Sequence, residues 1–249
     1  MDIDTQLPDS FNQVTRSMFE LLRGHDRPSI LTAVDQAYEW IWRQQIFLPG
    51  RTPRRLSDVT LAAQLQISRT PVRQALDRLA QEGLVQFDPR RGYWTQVFSA
   101  HDVNEIYDIP EANEVLALRL AIPHLKKSDL EAHLATIHAI RKTLPDANNA
   151  DFLESDFRLH NLIINSSQNH RLIRFLGTLR SQVALFQVRD TWYPQRIEIA
   201  LDDHERFLVA LIEGRGEEAI KMLSEHIQNS KNGVLADMYQ DEDTLNKVS

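Results

Sequence analysis

The chain has 249 residues, of which 42% are hydrophobic and 25% charged, and its formal net charge is -7 at pH 7. This composition can form one large hydrophobic core or two modest ones, and it excludes disordered and fibrous classes of protein. The sequence contains no cysteine, which excludes disulfides, thiolate metal ligands and a cysteine nucleophile. Any metal ion must therefore be bound by histidine, aspartate or glutamate.

The start of the chain has none of the features of a secretory signal. It lacks a basic segment followed by an apolar core, and no apolar run approaches the roughly 18 residues of a membrane-spanning helix. We therefore expect a cytoplasmic protein with no membrane partner. Residues 1–29 are polar and carry two prolines, and we interpret them as an N-terminal extension.

Arginines are concentrated in one part of this acidic chain. Residues 43–94 hold nine arginines against four acidic residues. Such asymmetry indicates that this segment meets a polyanion such as nucleic acid while the remainder does something else. On charge alone, chance clustering of surface arginines remains the alternative.

Residues 30–98 are predicted to form a domain of three helices and a β-hairpin. Apolar side chains recur at helical spacing after Ile30, and a later Pro-Gly pair ends that helix. Asp58 is the predicted N-cap of a second helix. Ser68 is the predicted N-cap of a third helix, which Gly83 ends.

Two β-prone runs follow the third helix, at residues 84–87 and 93–97. The turn between them contains Arg90, Arg91 and Gly92. The sequence therefore predicts a hairpin with a basic tip, and a glycine that permits a tight turn.

The third predicted helix begins with residues that suit duplex DNA. In a winged helix-turn-helix, the N-terminal part of the recognition helix enters the major groove, where arginine can pair bidentately with guanine. Arg69 lies at the start of this helix, and Arg73 lies one turn later on the same face. Ser68, Thr70 and the free backbone N–H groups of the first turn suit phosphate oxygens. The arginines of the hairpin tip are placed to reach the adjacent groove or backbone.

The run SRTPVRQAL followed by RLAQEGLV, within residues 61–94, resembles the DNA-binding domain of the GntR family of transcription regulators. The resemblance implies a winged helix-turn-helix fold. It also implies DNA contacts by Arg69, Thr70 and Arg73, and a wing glycine at Gly92.

Three features of this segment depart from the usual family pattern. Gln66 lies between the helices where the family usually has glycine, and Val59 lies where some members carry a DNA-contacting arginine. The segment before the second helix is also longer, and it adds Arg51, Arg54 and Arg55 near the predicted DNA face. We expect these changes to alter the operator sequence and to leave the fold intact.

The remainder of the chain, residues 99–249, is predicted to be an all-helical domain. A capping box of Ser128 and Glu131 opens its second helix. Six helices imply a bundle, so that the whole protein is mainly α. The predicted helices are 102–122, 128–144, 151–165, 169–189, 196–213 and 217–239.

Nine histidines raise the question of a metal site. Asp156 and His160 are four residues apart in a predicted helix, so both side chains leave one face, as chelation requires. His204 and His226, on the last two helices, could complete a ligand set of oxygen and nitrogen atoms. Spacing alone does not show that the four side chains converge. We expect the others to be surface or hydrogen-bonded core residues: His25, His101, His124, His133, His138 and His170.

Residues 102–239 resemble the C-terminal effector-binding domain of the FadR subfamily of GntR regulators, the FCD domain. The resemblance lies in the stretches ESDFRLHNLI, DDHERFLVALIEGRGEEA and MLSEHIQ. It implies a metal site formed by Asp156, His160, His204 and His226. Zinc, nickel, manganese and iron all accept such ligands, and the sequence does not distinguish among them. Open coordination positions would let a carboxylate effector bind the metal directly.

One departure concerns the effector. Many members of this subfamily carry an arginine in the first helix that pairs with the ligand carboxylate, whereas this chain has Pro110 in the corresponding stretch IYDIPEANE. Arg119 matches a later family arginine with a structural role. The effector is therefore unusual, or another cation such as Arg189 serves, and the effector-binding residues remain unknown.

Together, these patterns predict a ligand-responsive regulator that binds a short palindromic operator as a homodimer and is not an enzyme. Effector binding would change the relative placement of the two DNA-binding domains. One alternative is a metalloenzyme with Glu205 or Glu225 as its base, although no H-E-x-x-H motif is present. Another is an architectural DNA binder whose bundle only dimerises and whose metal is structural.

Overall fold

The structure of the protein is a computed structural model that describes residues 32–46, 52–144, 149–190 and 194–246. Contacts between Cα atoms divide the chain into two compact units, one ending at Ser99 and one containing everything from Ala100 onward. The predicted N-terminal extension lies outside the described residues. Within those residues, no helix combines the length and the apolar character that crossing a membrane requires.

The N-terminal unit contains the three predicted helices. Helix α1 covers Ala33–Ile41 and continues as a π-helical turn over Trp42–Ile46; α2 covers Asp58–Leu65 and α3 covers Arg69–Gln81. The predicted start of the first helix at Ile30 and its end at the Pro-Gly pair lie outside the described residues. A fully buried valine, leucine or isoleucine side chain contributes about 1.5–3 kcal/mol. Apolar residues of the three helices and of the π-helical turn meet in one core: Ala37, Ile41, Trp42, Leu61, Val72, Ala75, Leu76 and Leu79.

The caps of these helices differ in detail from the prediction. Ser57, not Asp58, is the N-cap of α2, because the Ser57 hydroxyl accepts the Thr60 N–H at 3.3 Å. Asp58 becomes the first helical residue, and its carboxylate bonds elsewhere. Ser68 is the N-cap of α3, as predicted, although its hydroxyl makes no capping hydrogen bond. Gly83 follows the end of α3 with a φ of 72°, which is the left-handed conformation expected after a helix.

The predicted hairpin is part of a three-stranded antiparallel sheet. Strand β2 covers Val85–Asp88 and strand β3 covers Gly92–Thr95, and the two pair through Asp88 and Gly92 at the turn. A further strand, β1 over Arg55–Leu56, pairs with the other edge of β3 and gives the order β1-β3-β2. Two residues are too few to give a periodic signal, which explains why β1 was not predicted.

The C-terminal unit confirms the six predicted helices within the described residues. One detail was wrong: Ser128 does not cap the second helix, because that helix begins at Lys127 with Lys126 as its N-cap. The Ser128 hydroxyl lies 3.4 Å from Asp129 Oδ1 instead. The helices are α4 over Ala100–Ala121, α5 over Lys127–Thr143, α6 over Asn149–Ser166, α7 over His170–Asp190, α8 over Pro194–Ile212 and α9 over Gly216–Asn246.

Helix α4 is central to this bundle, since it packs against α6, α7 and α9. It continues through Pro110, which lies on its buried face. That face also carries a single charged residue, Glu114, among otherwise apolar or aromatic positions. Helix α8 packs against α5 and α9. The bundle therefore brings the faces of α4, α6, α8 and α9 toward one interior.

Candidate functional site

Four side chains from three helices converge inside the C-terminal unit. Asp156 and His160 come from α6, His204 from α8 and His226 from α9, and one ligand-type atom of each lies within 4.8 Å of the others. The Nε2 atoms of His204 and His226 are 3.2 Å apart. Asp156 Oδ1 lies 3.5 Å from His204 Nε2 and 3.7 Å from His160 Nε2. The structure thus brings together all four metal-ligand candidates from the sequence.

Burial dominates the electrostatics of this cluster. It raises the pKa of Asp156 and lowers the pKa of His204 well below its ordinary value, the latter with help from the neighbouring imidazoles. Burial opposes the charged form of His160 as well, but the carboxylates of Glu114 and Asp156 outweigh it and raise the pKa of His160 to about 9. Three imidazoles and one carboxylate in a buried site match the donors that divalent transition metals prefer. The residues present therefore fit a metal ion.

Each of three cluster residues is held by a partner on its outer side. Glu114 Oε2 lies 2.5 Å from Nδ1 of His160, and Asp203 Oδ2 lies 3.6 Å from Nδ1 of His226. Gln187 donates from Nε2 to Asp156 Oδ2 at 2.9 Å. Such partners fix the orientation of the rings and direct the opposite nitrogen inward.

These outer partners were not predicted from the sequence, although one of them left a signal. Glu114 lies four residues after Pro110 and three before Ala117, on the helical face that also holds Val103 and Tyr107. A carboxylate on a buried helix face costs free energy unless it has a partner. An acidic residue at this position of the apolar pattern therefore indicates a buried polar site.

A cavity of about 400 Å³ adjoins the cluster, with Asp156 and His226 in its wall. Apolar side chains from α6 and α8 and polar side chains from α7, α8 and α9 line it, so that it suits a ligand with both kinds of surface. The apolar lining includes Phe152, Leu153, Ile197 and Ala200, and the polar lining includes Gln187, Arg196, Asn229 and Ser230.

Arg196 in the cavity wall forms a two-pronged ion pair with Asp237 of α9. Its Nη1 donates to Asp237 Oδ2 at 2.8 Å and its Nη2 donates to Oδ1 at 2.5 Å. Gly233 lies against the same guanidinium, because a Cβ at that position would be 3.2 Å from the Arg196 Cζ. The interior glycine of α9 thus makes room for the arginine. The side chain of Arg189, the alternative cation from the sequence, lies outside the described residues.

The N-terminal unit places the predicted reading residues on its surface. Arg69 and Arg73, at the start of α3, each expose 59% of their side chain, and Ser68 and Thr70 are exposed beside them. Asp58 Oδ2 accepts from Arg69 Nε at 3.3 Å and from Nη2 at 2.9 Å, and it lies 3.9 Å from Arg73 Nε. The recognition-helix candidates therefore share one solvent-facing patch, with an acidic residue within it.

The wing tip is a folded turn with two exposed arginines. Asp88 Oδ1 accepts the backbone N–H of Arg90 at 2.7 Å and that of Arg91 at 2.9 Å, and Gly92 follows with a φ of 81°. The guanidinium of Arg91 stacks over the Trp94 ring at 4.7 Å. This turn holds the predicted wing residues together at one end of the sheet.

The wing and the recognition helix are joined by one aromatic residue. Tyr93 of β3 donates its hydroxyl to Asp77 of α3 at 2.6 Å. Burial, and after it the Asp77 carboxylate, raises the pKa of Tyr93.

The segment before α2 adds three arginines to the predicted DNA face. Of these, Arg55 is exposed, Arg54 is half-buried and Arg51 lies outside the described residues.

Comparison with known proteins bears on both units. The family model for "Bacterial regulatory proteins, gntR family" matches residues 43–94, and that for the FCD domain matches residues 105–229, which is half of the chain. The chain belongs to the GntR family of transcription regulators. Its helix-turn-helix domain is followed by an FCD domain, the effector-binding module of the family. The metalloenzyme alternative is therefore wrong.

Two relatives match this chain over most of their length. The chain is 26% identical to the Nta operon transcriptional regulator of Aminobacter aminovorans, over 76% of this chain and 87% of that protein. It is 25% identical to the HTH-type transcriptional repressor RspR of Escherichia coli, over 76% and 82%. Both relatives are transcription regulators, which agrees with the family assignment.

Solved structures share the fold. E. coli McbR/YncC superposes with a TM-score of 0.67 at 20% identity, and the match covers 84% of this chain and all of that one. The structure of Lar, which controls the expression of the Listeria monocytogenes agr system, gives a TM-score of 0.58 at 15% identity, with 83% and 98% covered. A winged helix-turn-helix followed by an all-helical domain is thus the fold of this chain.

Proposed function

We propose that the protein is a ligand-responsive, sequence-specific regulator that binds a palindromic operator as a homodimer in the cytoplasm. Residues 30–98 are the DNA-binding domain, residues 99–249 are the effector-binding and dimerisation domain, and residues 1–29 are an extension. The observation that carries this proposal is the buried ligand cluster beside a cavity of about 400 Å³, in a chain that also exposes two arginines at the start of its recognition helix.

Arg69 and Arg73 read base edges in the major groove, because exposed arginines at the N-terminus of a recognition helix can reach guanine O6 and N7. Ser68 and Thr70 contact phosphates beside them. The wing arginines reach the adjacent groove or backbone, and the wing glycine shapes the tip: Arg90, Arg91 and Gly92. A second copy of the chain doubles the contacted sequence, which is why we expect a palindrome.

Asp156, His160, His204 and His226 would hold a divalent transition metal ion, either zinc, nickel, manganese or iron. When bound, the ion would supply a positive centre in the cavity wall that attracts a carboxylate of the effector. The cluster residues set the place of that centre. The outer partners Glu114, Asp203 and Gln187 keep the rings and the carboxylate in orientation.

The cavity indicates what an effector must look like. Arg196 and His204 are eight residues apart on α8, which is roughly 12 Å along the helix axis. An effector that fills the cavity therefore meets the metal cluster at one end, an apolar wall in the middle and the Arg196–Asp237 pair beyond it. Because such a ligand contacts α6, α8 and α9 together, it favours one arrangement of these helices and thereby changes operator affinity.

Metal analysis tests the sensing half of this proposal. We expect the purified protein to carry a transition metal, and His204→Ala and His226→Ala to lose it. His101→Ala is the matched control, because His101 lies on α4 with 81% of its side chain exposed. Metal retained in both cluster variants would contradict the proposed site. In the metal-loaded protein, small carboxylates should raise the unfolding temperature in proportion to their occupancy, whereas an architectural DNA binder would show no such effect.

Selection of bound duplexes from a random pool tests the DNA-binding half. We expect the protein to enrich a palindromic sequence, and Arg69→Ala to weaken binding to it by about 1–3 kcal/mol with relaxed preference at one base pair. An Arg69→Ala variant that enriches the same sequence with the same affinity would contradict the assignment of Arg69 to base reading.

A further inference from the structure

An acidic residue lies between the two reading arginines, and the DNA contacts above give it no role. Asp58 is the first residue of α2, and its carboxylate is only 20% exposed. A carboxylate on a DNA-facing surface repels phosphates. The hydrogen bond from Arg69 is the main reason that the pKa of Asp58 lies below its ordinary value, so the residue is charged whenever the protein meets DNA.

We propose that Asp58 is a positioning residue that sets the base preference of the recognition helix by holding Arg69, and secondarily Arg73, in a fixed orientation. This inference rests on the proposed role of these arginines in DNA reading. It adds to that function a specificity-determining residue from the neighbouring helix, outside the recognition helix itself.

The geometry of the guanidinium supports this role. Asp58 Oδ2 accepts from Nε and Nη2 of Arg69, at 3.3 and 2.9 Å, and so engages one edge of the planar fork. The end formed by Nη1 and Nη2 is a different edge, and it can present two donors to guanine O6 and N7. An arginine held at one edge presents the other in a defined plane, and its rotamers are ordered before DNA arrives.

Arg73 extends the same arrangement. Its Nε lies 3.9 Å from the same Asp58 oxygen, and it also interacts with Tyr93 of the wing, whose hydroxyl bonds Asp77. The acidic residue in α2 therefore contacts both arginines, and the aromatic residue in β3 interacts with Arg73. The reading surface is ordered by side chains that do not themselves need to contact a base.

The negative charge of Asp58 predicts opposite effects on affinity and on sequence preference. Removing the Asp58 carboxylate should strengthen binding to duplexes that lack the selected sequence, because one repulsive charge is lost near the phosphates. It should also weaken the preference for the selected sequence, because Arg69 loses its fixed plane. A residue that only stabilised the start of α2 would alter thermal stability. It would leave unchanged the ratio of the dissociation constants for a scrambled and a selected duplex.

The test measures that ratio. The wild type first selects a sequence from a random duplex pool, and dissociation constants are then measured for the selected and a scrambled duplex at one salt concentration. We expect Asp58→Asn to lower the ratio about tenfold, a part of the discrimination that a bidentate arginine supplies, while the scrambled duplex binds more tightly. Glu39→Gln is the charge-matched control, because Glu39 is an acidic residue of α1 in the same unit that bonds Arg43 outside the predicted reading residues. In that control the ratio should stay constant.

A double-mutant cycle completes the experiment. Asp58→Asn should have no further effect on the ratio in an Arg69→Ala background, since the residue acts through that arginine. Asp58→Ser provides a second variant at the position, because a serine also suits the start of a helix. A ratio unchanged in both Asp58 variants, with Arg69→Ala still defective, overturns this inference alone. A ratio unchanged in Arg69→Ala overturns the proposed function as well.

Discussion

The ligand cluster and the DNA-reading surface are built in opposite ways. The cluster joins residues that are up to 70 positions apart, from Asp156 to His226, and three of its four members are buried. The reading surface takes most of its residues from one short stretch, 68–73, and exposes them. Burial makes each polar partner of the cluster necessary, whereas exposure leaves the reading residues available to a partner from outside. The two regions should therefore respond differently to metal, salt and substitution.

Removing the metal should have the largest effect, and only on the buried region. If the ion is present at 100 to 1,000 times its dissociation constant, chelation should lower the free energy of unfolding by about 3–4 kcal/mol. Hydrogen exchange resolves the location: the amides of α8 and α9 should exchange faster after chelation, while those of α3 keep their rate. Equally faster amide exchange in both units would show that the metal does not stabilise the C-terminal unit selectively.

Changing an outer partner should have the next largest effect. Glu114→Gln removes the charge that holds Nδ1 of His160, and we expect metal affinity to fall about 10- to 100-fold. Glu111→Gln is the matched control on the same helix, since Glu111 bonds Ser224 and Gln228 of α9. Competition with a chromogenic chelator measures both. Equal affinities for the two variants would show that the outer partner contributes nothing.

Salt should act on the exposed region instead. Arg90→Ala is expected to weaken DNA binding about equally for selected and scrambled duplexes and to reduce the slope of log affinity against log salt by about 1. Arg215→Ala, which removes an exposed arginine of the C-terminal unit, should leave the slope unchanged. Titrations by fluorescence anisotropy at several salt concentrations distinguish the two. A slope that Arg90→Ala does not alter would exclude this residue from the phosphate contacts.

The smallest effect is expected at the turn between α2 and α3. Gln66 has a φ of 54°, in the left-handed region that favours glycine. Gln66→Gly should therefore raise the free energy of unfolding by up to about 1 kcal/mol. Gln64→Gly, at an exposed position inside α2, should lower it by about 0.5–1 kcal/mol. Urea unfolding of both variants measures the change in the free energy of unfolding. A change of the same sign in both variants would contradict this prediction.

Features that depend on neighbouring residues were predictable from the sequence, whereas features that depend on distant residues were not. The bounds of most helices were predicted to within a few residues, although the last helix continues to Asn246, seven residues beyond its predicted end. The two-residue strand Arg55–Leu56 was missed. Ser57 and Asp58 are adjacent potential caps, and only the observed hydrogen bond distinguishes them. In the cluster, the spacing of Asp156 and His160 was visible in one helix.

The rest of the cluster needed more than local spacing. His204 and His226 were candidate ligands on separate helices, and only the family resemblance implied that they join Asp156 and His160 in one site. The outer partners Glu114, Gln187 and Asp203 appeared only in the structure. Hydrogen bonds between residues dozens of positions apart, such as Gln187 to Asp156, are determined by how helices pack. Single-sequence patterns report local periodicity and carry little information about such packing.

The glycine in the middle of α9 has a consequence for the wider family. A Cβ at position 233 would come within 3.2 Å of the guanidinium at position 196, so a side chain there requires that guanidinium to shift, and we expect the two positions to vary together. In regulators that sense other molecules, we expect a larger residue at the first position to accompany a shorter or uncharged one at the second. Paired substitutions of this kind would sort relatives by ligand class before any ligand is known.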